Sequence, residues 1–442
     1  MTNFLQRFSA HRLAAPSFYT GILCVLLVCV PALAGCANIG TLNENYTSQC
    51  QNIPASEEAR IPVLPRPDQL IAEPAHYHGP TTARTATHGI VPISDNPLQY
   101  QKLPVHVESS DGPMQEIRDT TRILALNQNG GLAAAVAGLG FGCSLIGKDT
   151  STNFPGTEHL PLVTKNGHEL DAESILALRP TLIITDTTVG PYDVQLQLRQ
   201  SGIPVVMIPH SFHEGIQGVA PQIHAVAAAL GVPELGERLA QRTDEEIART
   251  VQTIGKIAPT DPAKKPRIVF LYVRGKSTYY WFGEGSGADS LIRAISAVDV
   301  AEEVGLKGMV PTNSEALIRA QPDIIIAMTK GLESAGGLEG FVTLPGVAQT
   351  PAGQNRRIVD MSDYEVMSFG PRTAEVIAAL ATAIYAPEAA EEIQREASKP
   401  TADSDSSNSI SSGATFPSAT DYGTYNAHSA QSDSTSTDGK AR

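Results

Sequence analysis

ESILALRPTLIIT (residues 173–185) and EALIRAQPDIIIA (residues 315–327) align without a gap. Each opens on glutamate, carries proline at its eighth position and runs directly into an aliphatic stretch. Proline does not continue a helix and biases the residue before it towards extended backbone, so each stretch reads as helix, break, strand. The aliphatic stretch does not alternate, which is the pattern of a parallel strand buried on both faces. The bland cause of the match is that helix–proline–strand is a common α/β joint. The other is that two similar lobes present Glu173 and Glu315 at equivalent places. A glutamate in the first turn of a helix is favoured by the helix dipole in either case. As exposed acids, the pair suits basic patches on a symmetric partner.

Working outward, the same alternation fills both halves of the chain. ILALN (123–127), SLIGK (144–148), TLIITD (181–186) and PVVMIP (204–209) read as buried parallel strands. Helical stretches lie between them: GLAAAVAGLG, DAESILALR, VQLQLRQSG and IQGVAPQIHAVAAALG. A second set follows, with RIVFLYV (267–273), YYWF (279–282), DIIIAM (323–328) and RRIVDM (356–361) as strands. Its helices are ADSLIRAIS, SEALIRAQ and RTAEVIAALATAIY. Between the sets, PELGERLAQRTDEEIARTVQTIGKI (233–257) is a long charged helical pattern with few breaks. A chain of 442 residues has room for two ordinary domains. The expected fold is therefore α/β, with two parallel-sheet lobes joined by one long connecting helix and a ligand cleft between them. The boundaries fall at 116–232 for the N-terminal lobe, 233–258 for the helix and 259–397 for the C-terminal lobe.

The flanks differ in composition. Arg7 and Arg12 precede the apolar run GILCVLLVCVPALA, which ends at LAGC. A basic lead, an apolar core and small residues before the cut make residues 1–35 a secretory signal peptide. The LAGC ending resembles a lipobox, which implies that Cys36 is lipidated and becomes the mature N-terminus. The alternatives are an ordinary signal peptide or an uncleaved anchor. Residues 36–115 are polar, proline-rich and aperiodic, and read as a tether with local structure near IPVLPRPDQLIAEP. Residues 398–442 are Ser/Thr/Asp-rich and read as a disordered tail. With Cys24 and Cys29 in the leader and Cys36 lipidated, only Cys50 and Cys143 are left to pair. One falls in the expected tether and the other in the expected core, so no disulfide framework is expected. The net charge of −14 with no basic stripe argues against a nucleic-acid partner. No Cys/His cluster has zinc spacing, and no G-x-S-x-G or H-E-x-x-H motif occurs, so the residues offer no catalytic constellation. Gly283, Gly285 and Gly287 lack the full G-x-G-x-x-G frame of a dinucleotide site.

FLYVRG (270–275) carries the most specific pair. Positions i and i+2 of a strand share a face, so Tyr272 and Arg274 stand side by side where the strand leaves the core. Ligands of parallel α/β sheets bind beyond the carboxyl ends of the strands. From the residues alone this is either a capped strand end or a ligand-facing phenol with a permanent cation beside it.

GKDTSTNFP, LPLVTKNGHELDAESILALRP, TDTTVGP, FLYVRG, GEGSGADSLI, GMVPTNSEALIRAQPDIII and DYEVMSFGPRTAEVI together decide a resemblance. Over about residues 116–390 the chain resembles the substrate-binding lipoproteins of ABC importers, in the rigid-hinge class for cobalamin, siderophores and haem. Within that class it is most similar to the hemin-binding lipoproteins of actinobacterial haem uptake. The resemblance implies a non-enzymatic, membrane-anchored extracytoplasmic receptor that captures haem and delivers it to an ABC permease and its ATPase. A ferric siderophore or cobalamin is the alternative cargo. Tyr272 is then an axial ligand of the iron, a hard anionic oxygen suited to the ferric state. Arg274 favours the charged phenolate. The opposite ligand is expected to be His168, just before the helix near Asp171, with His159 second. Neutral imidazole is the competent ligand, so uptake should weaken on acidification. Phe154, Met367 and Arg372 are candidate cleft contacts, with Arg372 or Lys148 available for a propionate. His210 and His213 read as capping the crossing between lobes. In this class Glu173 and Glu315 are expected to meet arginines on the permease.

Overall fold

The computed structural model describes residues 53–85, 89–210 and 212–397. The expected signal peptide, Cys36 and the expected tail lie outside these residues.

In the N-terminal lobe, strands Ile123–Leu126, Leu182–Thr185 and Val205–Met207 pair in parallel in that order. Ile123, Ala125, Leu182, Ile184 and Val206 project into one apolar cluster, and Leu124, Leu126, Ile183 and Val205 into another. Burial on both faces is why these strands are aliphatic without alternation. SLIGK forms no strand of its own: Leu145 and Lys148 make isolated bridges to Ile123 and Leu162. Helices Gly131–Val136, Ala172–Ala177, Tyr192–Gln200 and Val219–Ala229 occupy the expected stretches.

The C-terminal lobe is built on a larger sheet. Thr81–Ala83, Ile358–Met361, Ile324–Met328 and Arg267–Arg274 run parallel in that order. Thr278–Phe282 and then Met309–Pro311 extend it antiparallel, so this lobe is mixed rather than wholly parallel. The three residues 275–277 joining the first hairpin are too few for a parallel crossover. Gly275, at a φ of 68°, supplies the left-handed backbone this turn needs. Val269, Leu271, Val273 and Trp281 face one cluster, while Ile268, Phe270 and Phe282 face the other.

The long helix spans Pro233–Ile257 and packs on Val219–Ala229 of one lobe and Thr373–Tyr385 of the other. Proline at its first position suits a site where an amide would be unpaired anyway. Gly236 allows the close approach to Val219–Ala229, because a Cβ there would stand 2.5 Å from that of Ala227. One apolar cluster runs through Ile123 and Leu182, then Leu239 of the helix, to Phe270 and Ile384. The lobes therefore share a core as well as a connector, which stiffens the joint between them.

Two further expectations are overturned. Residues 53–115 hold structure rather than forming a loose tether as far as 115. Besides the sheet strand Thr81–Ala83, a hairpin pairs Val105–Glu108 with Met114–Ile117. Ile71 N–H donates to Tyr385 O at 3.0 Å, and Lys102 N–H to Gly231 O at 2.9 Å. Arg242 of the long helix, with its side chain buried, donates to Ser56 O and Val91 O at 2.5 and 2.8 Å. Main-chain bonds to distant elements, invisible in composition, fix this segment. Cys143 is disulfide-bonded, contrary to the expectation of unpaired cysteines. It is the only cysteine among the described residues, so its partner lies outside them.

Candidate functional site

Strand Arg267–Arg274 delivers Tyr272 and Arg274 to its carboxyl end, on the face that carries Phe270. The partner strand places Tyr280 opposite Tyr272 and Phe282 opposite Phe270. The Tyr272 ring meets Phe282 edge-on at 6.3 Å and Tyr280 at 6.4 Å, so an aromatic bed supports it while the side chain stays half-buried. The Arg274 guanidinium lies over the Tyr272 ring, 4.5 Å from its centroid. It is held there by Asp363 Oδ1 at 2.9 Å and by its donation to Val273 O. Asp363 Oδ2 accepts from Lys330 N–H at 2.8 Å. The cation is thus stacked and anchored rather than waving in solvent.

His168 comes from the other lobe. Its loop is tied to the turn after strand Leu182–Thr185: Gly190 N–H donates to His168 O at 3.2 Å, and Leu170 N–H to Gly190 O at 2.6 Å. Burial lowers the His168 pKa from its ordinary value; Asp186 pulls it up and Arg274 pushes it further down. A C-lobe guanidinium thus bears electrostatically on an N-lobe imidazole. His168 Nδ1 is buried and makes no hydrogen bond. The lowered pKa keeps the ring neutral, the form that binds metals. His159 is half-buried near the turn in which Leu160 N–H donates to Thr157 O.

The remaining candidates divide. Phe154 and Arg372 line a small cavity between the lobes with Gly130, Ser151, Tyr364 and Glu365. Arg372 is already engaged, donating to Thr85 Oγ1 at 2.6 Å and Glu375 Oε2 at 3.1 Å, with Glu365 at 3.9 Å. Lys148 donates to Thr157 O at 2.8 Å, which makes it a loop support. Met367 is 4% exposed inside the main apolar cluster, so packing replaces the expected cleft contact. His210 and His213 meet edge to face at 5.4 Å; His210 approaches Asp186 at 3.6 Å, and His213 bonds Gly285 O of the other lobe at 3.1 Å.

Three acids escape the sequence reading. Asp363 anchors Arg274. Asp186 approaches His210 and works against the lowering of the His168 pKa. Asp149, fully buried, accepts from the amides of Asn127, Ser151 and Thr152 and the Thr152 hydroxyl, folding the loop that carries Phe154. All three sit in quoted motifs, but nothing in their spacing marks them. Among the described residues, no group of three or more His, Cys, Asp or Glu side chains is placed to hold a metal ion, and no helix is long and apolar enough to cross a membrane.

Glu173 and Glu315 are each the second residue of a short helix, Ala172–Ala177 and Ser314–Ala320. Asp171 and Asn313 cap the two helices by accepting from the amides of Glu173 and Glu315. Arg179 and Gln321, just before the matched prolines, both take left-handed backbone, with φ of 47° and 45°. The sequence match is therefore a match of conformation, and both glutamates are exposed.

Residues 129–365 match the family described as periplasmic binding protein. The chain belongs to that family. Its two-lobed α/β fold is similar to the crystal structure of the heme binding protein HmuT, at 34% identity and a TM-score of 0.65, covering 71% of this chain and 99% of HmuT. Other solved forms of HmuT carry alanine in place of a histidine, a tyrosine, and an arginine two positions beyond that tyrosine. The periplasmic heme-binding protein RhuT from Roseiflexus sp. RS-1 is 34% identical with a TM-score of 0.54, over 62% of this chain and all of RhuT. BhuT, solved with two hemes, is 27% identical with a TM-score of 0.52, over 60% of this chain and 97% of BhuT. No curated protein matches the chain.

Proposed function

We propose that this protein is an extracytoplasmic, non-enzymatic receptor that captures haem by axial ligation of its iron and hands it to an ABC permease. The observation that carries the reading is Tyr272 at the carboxyl end of its strand, on an aromatic bed with Arg274 stacked on its ring, in a chain similar to the heme binding protein HmuT. Tyr272 supplies a phenolate oxygen from the C-terminal lobe and His168 a neutral imidazole from the N-terminal lobe, on opposite faces of the porphyrin. Tyrosine is an established haem ligand. The tyrosine and the arginine two positions on, replaced separately in HmuT, have the spacing of Tyr272 and Arg274. Arg274 favours the anionic phenol and, by disfavouring imidazolium, keeps the opposite ligand competent. Phe154 supports the cleft wall.

Delivery uses the two lobe tips. Glu173 and Glu315 present identical capped carboxylates on the two lobes, which suits a permease offering two equivalent basic sites. A lipid on Cys36 tethers the receptor to the outer face of the membrane. The shared core and the continuous helix keep inter-lobe motion small, so release depends on the permease parting the lobes.

An absorption titration with hemin tests the cargo and ligands together. Wild type is expected to develop a Soret change that Tyr272→Ala abolishes and His168→Ala alters, with His159→Ala behaving as wild type. No Soret change in wild type would point to another cargo. Unaltered spectra in all three variants would remove the ligand assignment.

A further inference from the structure

Asp363 lies in the loop after strand Ile358–Met361, with its side chain 10% exposed and both carboxylate oxygens in use. Oδ1 accepts from Arg274 Nη2 at 2.9 Å. Oδ2 accepts from Lys330 N–H at 2.8 Å, in the first turn of helix Thr329–Ser334. The second bond matters: a carboxylate held only by the arginine could travel with it, whereas this one is fixed to a helix. That helix also comes close to the guanidinium, since a Cβ at Gly331 would stand 2.9 Å from Val273 O and 3.4 Å from Arg274 Nη1. Arg274 Nη1 itself donates to Val273 O at 2.9 Å. The arginine side chain is nonetheless 38% exposed, and such a long stem has many rotamers to wander through. Its guanidinium carbon sits 4.5 Å from the centroid of the Tyr272 ring, within cation–π range. At an exposed site that attraction is weak, so the carboxylate decides where the cation rests.

We propose that Asp363 is a positioning residue for cargo capture: it pins the Arg274 guanidinium on the Tyr272 ring, so that cation and aromatic bed together hold the phenol in place before cargo arrives. This rests on the reading of Tyr272 as a ligand to the cargo's iron. Outer-shell partners fix the orientation of a metal ligand and tune its strength. A ligand already held in place also gives up less freedom on binding. Asp363 acts through Arg274 and not on the iron.

The test has one arm without haem. In the apo-protein, NMR is expected to find the guanidinium protons of Arg274 shifted upfield by the ring they lie over. In Asp363→Asn, which keeps the size of the side chain, they should move towards the position of a free arginine, with partial recovery in Asp363→Glu. Unshifted guanidinium protons in wild type overturn the proposal, and that measurement needs no variant to fold. In the loaded protein, Asp363→Asn should shift the iron–phenolate vibrations and release hemin to excess apomyoglobin about tenfold faster. The same substitution added to Arg274→Gln should change the release rate no further. A further loss in that double variant overturns the proposal, because Asp363 would then act through the helix at Lys330 and not through Arg274. Wild-type vibrations and release in Asp363→Asn overturn it as well. Tyr272→Phe separates the two readings: a wild-type hemin spectrum there refutes ligation, while the guanidinium shifts still judge whether Asp363 pins the cation.

Discussion

Replacing Asp149 with alanine tests how the cleft loop is held. The carboxyl is fully buried and accepts four hydrogen bonds, yet burial outweighs them and pushes it up from 3.8 to about 6. Asp149→Ala leaves the amides of Asn127 and Ser151 without an acceptor, while Thr152 N–H keeps a 3.3 Å bond to the residue 149 carbonyl. Two orphaned buried amides cost about 2–6 kcal/mol together. Against this, the variant no longer carries a buried carboxylate whose displaced pKa disfavours the folded state by about 3 kcal/mol at neutral pH. The net change near neutrality is between a gain of about 1 and a loss of about 3 kcal/mol. The sign of the pH dependence follows from the raised value. Between about 4 and 6 the folded protein holds a proton that the unfolded chain does not, so wild type gains stability as pH falls and loses it as pH rises through about 6. Alanine has no such gain, and the gap should widen by about 1 kcal/mol between about pH 7 and about pH 5. Urea unfolding of both proteins at the two pH values, followed by far-UV circular dichroism, measures it. A gap that stays constant or narrows on acidification would refute the reasoning.

Three further outcomes are expected. Arg274→Gln removes one of the influences that lower the His168 pKa, so hemin should dissociate at a higher pH than from wild type, as followed by Soret absorbance across an acid titration. Glu173→Lys and Glu315→Lys should each depress stimulation of the cognate permease's ATPase while leaving the hemin spectrum unchanged, and the double variant should abolish stimulation. Gly236→Leu should lower stability by about 1–3 kcal/mol in thermal unfolding, because its side chain would overlap Ala227 where the long helix crosses Val219–Ala229.

What the sequence discloses follows from what burial demands of it. Strands covered on both faces must be aliphatic, so Leu182–Thr185 and Ile324–Met328 are legible as they stand. Thr278–Phe282 is equally readable as a strand, but its direction is set by the shortness of residues 275–277. Residues 53–115 are held largely by main-chain bonds to partners such as Tyr385 and Gly231, far along the chain, and such bonds leave no periodic trace. The Cys143 disulfide escapes because cysteine pairing is set by the folded chain and not by spacing in the sequence. At the site, period two puts Tyr272 beside Arg274, whereas His168 is held by a main-chain tie to Gly190 that no spacing discloses. Asp363, which anchors Arg274, is a lone loop residue whose meaning exists only once the loop is folded. Met367 errs the other way, a core side chain like its neighbours Val366 and Phe369.

The most direct test is resonance Raman spectroscopy of the hemin-loaded protein. Iron–phenolate vibrations are expected in wild type and should vanish in Tyr272→Phe, a change that removes one oxygen and leaves the aromatic bed intact. A Tyr272→Phe protein that binds hemin with the wild-type spectrum would contradict it.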